Sequence, residues 1–108
     1  MSEMAVSAAA IVIAYMIGNI SPATLISKAS GVDIRKEGSG NPGTTNMLRI
    51  MGKKAALLTL VIDVLKGVAG VLVGAYLGGE SLSVFCGLAV FTGHIFPAIY
   101  GFKGGKGI

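Results

Sequence analysis

The sequence predicts an all-α membrane protein in which three transmembrane helices form a polytopic bundle. Apolar residues make up 53% of the 108 positions and charged residues only 13%, and the mean hydropathy is +0.77. The apolar residues collect in three long segments that lack the polar face of a water-exposed helix. Two glycine-rich polar loops border these segments. We expect residues 1–108 to form a single transmembrane domain.

The charge balance and residue usage argue against several classes of partner. The formal net charge is +4, but the Lys and Arg residues lie beside apolar segments, as juxtamembrane charges do. Trp is absent and no basic run alternates with aromatic residues, so we expect no binding of nucleic acid. One Cys and one His supply neither a disulfide framework nor a recognisable set of metal ligands. We therefore expect no metal site and no cofactor.

The first apolar segment runs from Met4 to about Ile26. At about 1.5 Å per residue, a helix of this length crosses a hydrocarbon core of about 30 Å. Pro22 lacks a backbone donor, so we expect the helix to kink or unwind at Ser21 and Pro22. Asn19 has two interpretations that the sequence leaves open, a hydrogen bond inside the bundle or a contact with a ligand.

A polar connection from Lys28 to Lys54 follows this segment. It contains six Lys or Arg residues against two acidic ones, so the positive-inside rule places it in the cytoplasm. The amino terminus carries Glu3 and has no Lys or Arg before Lys28. We therefore expect the amino terminus to lie outside.

The stretch from Gly38 to Arg49, here called the first loop, is the strongest candidate for a binding site. Its glycines, proline and asparagines disfavour regular structure, which leaves backbone N–H groups to bind an anion. Hydroxyl, amide and guanidinium groups add donors suited to phosphate or carboxylate. An ordinary tight turn around residues 41–43 is the alternative. The candidate residues are Ser39, Gly40, Asn41, Gly43, Thr45, Asn46 and Arg49.

A short amphipathic helix is predicted within the first loop, from Thr45 to Met51. Thr44 or Thr45 is the expected N-cap, because a hydroxyl can accept a hydrogen bond from a free N–H group of the first turn. Such a helix directs the remaining N–H groups at the anion, and the i, i+4 spacing places Arg49 on the same side as Thr45.

The second apolar segment, Ala55 to Leu77, contains two charges. Asp63 and Lys66 are spaced i, i+3, and burial of either charge alone is costly, so we expect a mutual ion pair or a water-filled interior. A direct contact between Lys66 and a ligand is the alternative.

Small residues recur in the second segment at spacings that favour close helix contact in lipid. They are Gly67, Gly70, Gly74 and Gly78. We expect residues 79–81 to form a short exterior turn, because they carry no positive charge.

The third apolar segment, Leu82 to Tyr100, returns the chain to the cytoplasmic side, and a second loop follows it. Its glycines permit close backbone approach and its lysines bring charge to an anion. A flexible tether whose lysines touch lipid headgroups is the alternative. We expect His94 to be a hydrogen-bonded residue at a helix end. The candidate residues of the second loop are Lys103, Gly104, Gly105, Lys106 and Gly107.

Taken together, these motifs resemble the amino-terminal half of the bacterial acylphosphate-dependent glycerol-3-phosphate acyltransferases, an integral-membrane enzyme family. The resemblance implies seven transmembrane helices and three cytoplasmic motifs in the bacterial inner membrane. This chain contains two of the motifs, so the remaining helices and the third motif are implied partners. The matching segments are residues 39–46, Arg49, residues 63–67, residues 93–97 and residues 102–107.

The resemblance also implies a reaction. A fatty acyl group moves from acyl phosphate to the 1-hydroxyl of sn-glycerol 3-phosphate and gives lysophosphatidic acid, the first step of phospholipid synthesis. Ser39, Asn46 and Arg49 are the implied catalytic residues, the other first-loop donors bind substrate, and the second loop binds glycerol 3-phosphate. The proton acceptor stays open between a substrate phosphate, His94 and a residue beyond Ile108.

Two other functions are compatible with the sequence. A non-catalytic membrane subunit or a transporter of phosphate esters would use the same loops to bind an anion without chemistry. An inactive truncated fragment would neither transport nor catalyse. Product formation and uptake into vesicles separate these alternatives.

Overall fold

The computed structural model describes residues 2–102 of the chain. The described part is all-α, as predicted, with five α-helices and one 3₁₀ turn. The predicted donors of the second loop, residues 103–107, lie outside it. The helices are α1 (Glu3–Asn19), α2 (Pro22–Ala29), α3 (Thr44–Met51), α4 (Lys53–Gly78) and α5 (Glu80–Ile95), and the 3₁₀ turn is Ala98–Tyr100.

Three helical segments are long and apolar enough to cross a membrane, namely Glu3–Ala29, Lys53–Gly78 and Glu80–Tyr100. Large apolar side chains such as Leu72 and Phe85 cover their outward faces, where a helix facing water would carry polar residues. The three predicted spans are therefore confirmed as helices of membrane-crossing length.

The helices approach one another closely where glycines face a neighbouring backbone. A Cβ at Gly74 would lie 2.6 Å from the carbonyl oxygen of Leu82, and a Cβ at Gly70 would collide with the side chain of Val90. Gly78 is crowded by Leu82 in the same way, whereas Gly67 has nothing within 4 Å. The predicted contact face is confirmed for three glycines of α4, and Gly67 lies outside it.

The first span is broken near its carboxyl-terminal end, as its proline predicts. Helix α1 ends at Asn19 and α2 begins at Pro22. Ser21 is the N-cap of α2, because its hydroxyl accepts a hydrogen bond from the N–H group of Thr24 at 3.2 Å. The two residues between the helices let the chain change direction inside the span.

Helices α4 and α5 form a tight antiparallel hairpin. Gly79 alone connects them, with a φ of 85°, a left-handed conformation that favours glycine. The predicted three-residue turn was too long, because Glu80 and Ser81 already belong to α5. The hairpin brings the beginning of α4 and the end of α5 to the same end of the bundle.

A buried apolar cluster supports the first loop at that end. It consists of Ala23, Ile34, Met47 and Ala56. These residues come from α2, the polar connection, α3 and α4, so the cluster packs the short helix α3 against the spans. Because apolar burial is the main source of packing energy, this cluster holds α3, and with it the end of the first loop, against the spans.

Candidate functional site

The buried side chain of Asn46 fixes the conformation of the first loop through hydrogen bonds to its backbone and to the residues just before it. It is buried, with 1% of its surface exposed. Its Nδ2 donates to the carbonyl oxygens of Glu37 at 3.0 Å and Ile34 at 3.3 Å. Its Oδ1 accepts from the N–H group of Ser39 at 3.2 Å. One amide side chain therefore satisfies three backbone groups that no helix or strand would satisfy.

Two glycines surround Ser39 at the exposed tip of the loop. Gly38 has a φ of 56° and Gly40 a φ of 73°, both in the left-handed region that favours glycine. A Cβ at Gly40 would also lie 2.9 Å from the carbonyl oxygen of Arg35. The Ser39 hydroxyl accepts from the N–H group of Asn41 at 3.2 Å. This arrangement leaves the hydroxyl hydrogen of Ser39 for a ligand.

The beginning of α3 exposes unpaired backbone donors. Gly43 is the N-cap and makes no side-chain cap bond, so the prediction of Thr44 or Thr45 as the N-cap was wrong. Both threonines lie inside the helix because the extended backbone of Gly43 already starts it. No residue between 2 and 102 accepts a hydrogen bond from the N–H groups of Thr44 or Thr45. A helix N-terminus with free N–H groups attracts an anion.

Thr45 and Arg49 share the exposed face of α3, as their spacing predicts. Asn46 and Met47 occupy the buried face. Helical side chains lean toward the helix N-terminus, so Arg49 is placed where its long side chain can reach toward the first turn of α3. Arg49 makes no hydrogen bond or ion pair with any residue of the described range.

The structure thus divides the predicted first-loop residues into two groups. Asn46 lies underneath and shapes the loop. The Oδ1 atom of Asn41 is shielded from solvent and has no hydrogen-bond partner within residues 2–102, so it has acceptor capacity to spare. Ser39, Thr45 and Arg49 are exposed, and Gly40 and Gly43 are half-buried.

Arg35 is a residue that the sequence prediction missed. Its Nε donates to the Thr24 hydroxyl at 3.1 Å, and its guanidinium lies 4.2 Å from the centre of the Tyr100 ring, a cation–π geometry. Partial burial lowers the pKa of Arg35 from its ordinary value, and attraction to Tyr100 and Asp33 opposes that shift. Arg35 therefore joins the base of the first loop to the segment that leads into the second.

A polar cluster lies inside the bundle, where the second span meets the break in the first. Lys66 Nζ lies 3.1 Å from Asp63 Oδ1, so the predicted ion pair is confirmed. The same ammonium donates to the carbonyl oxygens of Gly18 at 3.0 Å and Ile20 at 2.7 Å and lies 2.9 Å from His94 Nδ1. The hydrogen bonds to Gly18, Ile20 and His94 engage all three hydrogens of the Lys66 ammonium, which leaves none for a ligand.

The carbonyl partners of Lys66 were not predicted, although the sequence contained a signal for them. Pro22 has no N–H group to donate to the carbonyl of Gly18, four residues earlier. In lipid, such a carbonyl needs a replacement donor. A lysine within another span is a candidate for that donor.

Tyr15 and Asn19 on α1 hold the segment that follows α5. The Tyr15 hydroxyl donates to the carbonyl oxygen of Phe96 and accepts from the N–H group of Ala98. Asn19 Oδ1 accepts from the N–H group of Ile99 at 3.2 Å. Asn19 is buried and makes internal hydrogen bonds, which favours its structural interpretation over ligand contact.

Other candidate sites are few in the described part of the chain. A shallow apolar groove of about 390 Å³ runs along α4 from Asp63 to Leu72 and is bordered on α5 by Gly87. Among residues 2–102, no three His, Cys, Asp or Glu side chains lie close enough together to hold a metal ion. Within residues 2–102, the exposed donors described above as lacking a partner lie in the first loop.

Comparison with known proteins identifies the family. Residues 8–108 match the family model described as glycerol-3-phosphate acyltransferase. The chain belongs to this family. Glycerol-3-phosphate acyltransferases of Geobacter metallireducens and Thermoanaerobacter sp. strain X514 are each 49% identical to it, over 96 and 98 residues. The matches cover 88% and 90% of this chain and 50% of each relative. The chain therefore spans about half the length of the acyltransferases it matches.

Crystal structures of PlsY (YgiH), an integral membrane glycerol 3-phosphate acyltransferase, have the same fold as this family member. The glycerol 3-phosphate form gives a TM-score of 0.86 at 40% identity and covers 94% of this chain and 52% of that chain. The lysophosphatidic acid form gives a TM-score of 0.84 at the same identity, with 50% of that chain covered. This chain is accordingly a multi-pass membrane protein of the acyltransferase family.

Proposed function

We propose that the chain is the amino-terminal part of an enzyme that transfers a fatty acyl group from acyl phosphate to the 1-hydroxyl of sn-glycerol 3-phosphate. Family membership supports this proposal. PlsY, whose fold this chain shares, has a glycerol 3-phosphate form and a lysophosphatidic acid form, which correspond to one substrate and the product.

The observation that carries the proposal is the first loop itself. Its free N–H groups at Thr44 and Thr45, the Ser39 hydroxyl and the Arg49 guanidinium are donors without described partners. Donors of these three kinds bind phosphate oxygens. Arg35, just before the first loop, contacts Tyr100, just before the second loop. This contact supports a site shared by the first loop and residues 103–107. Both proposed substrates carry phosphate.

The proposed chemistry needs positioning more than a protein nucleophile. The 1-hydroxyl oxygen attacks the acyl carbonyl carbon, the bond from that carbon to the phosphate oxygen breaks, and phosphate leaves with the electron pair. The hydroxyl proton would pass to a phosphate oxygen of a substrate. Ser39 and Arg49 would donate to the phosphate and to the charge that develops on the carbonyl oxygen. Asn46, for which the family resemblance implied a catalytic role, is buried beneath the loop and would act by holding Ser39 in place.

The same proposal includes the location of the site. Six Lys or Arg residues between positions 28 and 54 favour a cytoplasmic first loop. The amino terminus would then lie outside the cell, and the second loop would lie with the first. The proposed location is the bacterial inner membrane, with the remaining helices of the enzyme as the partner of this chain.

The test uses the chain alone and joined to the carboxyl-terminal half of the Geobacter metallireducens relative, a fusion called here the completed enzyme. Membranes containing each protein receive acyl phosphate and radiolabelled glycerol 3-phosphate. We expect lysophosphatidic acid from the completed enzyme. Uptake of label into vesicles without product would instead identify a transporter. If neither product nor uptake is observed, the protein is an inactive fragment.

Arg49→Ala in the completed enzyme tests the site. Loss of a charge-stabilising donor should lower turnover by about a hundredfold or more. Lys53→Ala removes a positive charge from the nearby start of α4 and is the matched control, expected to keep turnover close to the unsubstituted level. Normal turnover by Arg49→Ala would remove the guanidinium from the proposed site.

A further inference from the structure

The ammonium group of Lys66 replaces a backbone donor that the chain lacks. Pro22 cannot donate to the carbonyl oxygen of Gly18, and the N–H group of Thr24 binds the Ser21 hydroxyl instead of the carbonyl of Ile20. Lys66 Nζ donates to both carbonyl oxygens, at 3.0 and 2.7 Å. Lys66, on a neighbouring span, thereby satisfies the two carbonyl groups that lack backbone donors at the helix break. The lipid around the spans offers no water that could satisfy them instead.

The same ammonium decides which nitrogen of His94 bears hydrogen. Lys66 Nζ lies 2.9 Å from His94 Nδ1, and an ammonium group can only donate. Nδ1 must therefore present a lone pair, because two donors would repel at this distance. The ring hydrogen of the neutral imidazole is then on Nε2.

The charges around the ring agree with this assignment. Asp63 Oδ1 lies 3.9 Å from His94 Nδ1, beyond hydrogen-bonding distance, and 3.1 Å from Lys66 Nζ. The carboxylate is therefore paired with the lysine and does not accept from Nδ1. No other titratable group among residues 2–102 makes an ion pair with these three.

We propose that Lys66 is a positioning residue that fixes His94 as the Nε2–H tautomer, so that His94 presents a hydrogen-bond donor and no base. The His94 side chain is 19% exposed, and Nε2 has no hydrogen-bond partner within the described range. It can donate to an acceptor oxygen, such as that of a phosphate or carbonyl. Within the proposed acyl transfer, on which this last step rests, His94 does not take the proton from the 1-hydroxyl.

The tautomer is measured directly, without reference to catalysis. His94 is the only histidine of the chain, so ¹⁵N-histidine labelling in phospholipid bilayers yields one pair of ring resonances. We expect an unprotonated Nδ1 coupled to the ¹⁵N-labelled side chain of Lys66 and a protonated Nε2. A protonated Nδ1 in the folded chain would overturn the proposal.

Substitution of Lys66 tests the cause. Lys66→Met removes the donor and should give a mixture of the two tautomers, whereas Lys66→Arg retains donors and should preserve the unprotonated Nδ1. Lys54→Met removes a positive charge from the exposed start of α4 and is the matched control, expected to leave the ring spectrum unchanged. If Lys66→Met does not fold, the unsubstituted chain decides the cause, because absence of coupling between His94 Nδ1 and the Lys66 side chain would refute the role of Lys66.

The consequence for catalysis is tested with His94→Gln in the completed enzyme. The glutamine amide keeps a donor near Nε2 but cannot act as a base. We expect turnover to fall less than about tenfold, because loss of a general base costs about a hundredfold to ten-thousandfold. A loss in that larger range would overturn the donor assignment. Absence of product from the unsubstituted completed enzyme would refute the proposed function, while the ring spectrum would still decide the tautomer.

Discussion

The helix bundle and the first loop are held together by different interactions. Inside the bundle, α4 and α5 touch through glycines such as Gly70 and Gly74, where backbone meets backbone or side chain directly. The first loop instead depends on single polar side chains, above all Asn46, which bind backbone groups across the turn. This contrast predicts that replacing a glycine of the bundle with a larger residue should push the spans apart. Loss of the Asn46 side-chain amide should instead open the first loop and leave the spans intact.

The largest effect is expected from enlarging a glycine of the bundle. In Gly74→Leu the new Cβ would lie 2.6 Å from the carbonyl oxygen of Leu82, so α4 and α5 must move apart. We expect the free energy of unfolding of the chain to fall by about 3 kcal/mol. Titration of the chain in mixed micelles with a denaturing detergent measures it.

Gly67→Leu is the matched control for this change. Gly67 lies on the same helix, but a Cβ at this position would have no neighbouring atom within 4 Å. Leucine also has a higher helix propensity than glycine, so stability should stay constant or rise by up to about 1 kcal/mol. Equal losses for the two variants would show that close packing at Gly74 does not hold the hairpin.

A smaller and local effect is expected in the loop. Asn46→Ala removes three hydrogen bonds to backbone groups, among them the described acceptor of the Ser39 N–H group. The opening free energy of the loop should fall by about 2 kcal/mol, which is about a thirtyfold loss of amide protection at Ser39. Hydrogen exchange followed by mass spectrometry measures it.

Asn41→Ala provides the control for the loop. The Asn41 side chain makes no hydrogen bond within the described residues, so protection at Ser39 should change little. The concentration of denaturing detergent at which half of the helix bundle is unfolded should be the same in Asn46→Ala and Asn41→Ala. A large drop in that concentration for Asn46→Ala would contradict the separation between loop and bundle.

The smallest effect is expected where the two regions meet. Arg35→Lys keeps the charge but loses the flat guanidinium over the Tyr100 ring, which lies 4.2 Å away. A double-mutant cycle with Tyr100→Leu should give a coupling energy of about 0.5 to 1 kcal/mol, read from the protection of the loop amides. The same cycle with Lys36→Met in place of Arg35→Lys should give none.

The features that the sequence predicted correctly all have local signals. Hydropathy marked the three spans, Pro22 marked the helix break, and the i, i+3 spacing marked the pair of Asp63 and Lys66. Each of these depends on residues close together in the chain, where geometry follows from helix or proline stereochemistry. Such signals need no knowledge of the tertiary fold.

The features that the sequence did not predict depend on distant partners. Arg35 and Tyr100 are far apart in the sequence, and only the tertiary fold brings the polar connection and the 3₁₀ turn together. An asparagine in a polar loop is equally suited to a ligand and to backbone groups, so the burial of Asn46 gave no sequence signal. The predicted N-cap of α3 was wrong because the helix starts from the extended backbone of Gly43. Glycine has no side chain to form a cap, so the sequence did not mark it as the N-cap.

The single residue between α4 and α5 has a consequence for how the protein enters the membrane. Chain reversal at Gly79 depends on one left-handed φ of 85°. If that residue were deleted, α4 and α5 could continue as one rod, and everything after α5 would be delivered to the opposite side of the bilayer from α3. During biosynthesis, the side of the bilayer to which the end of α5 returns therefore depends on the turn at one glycine.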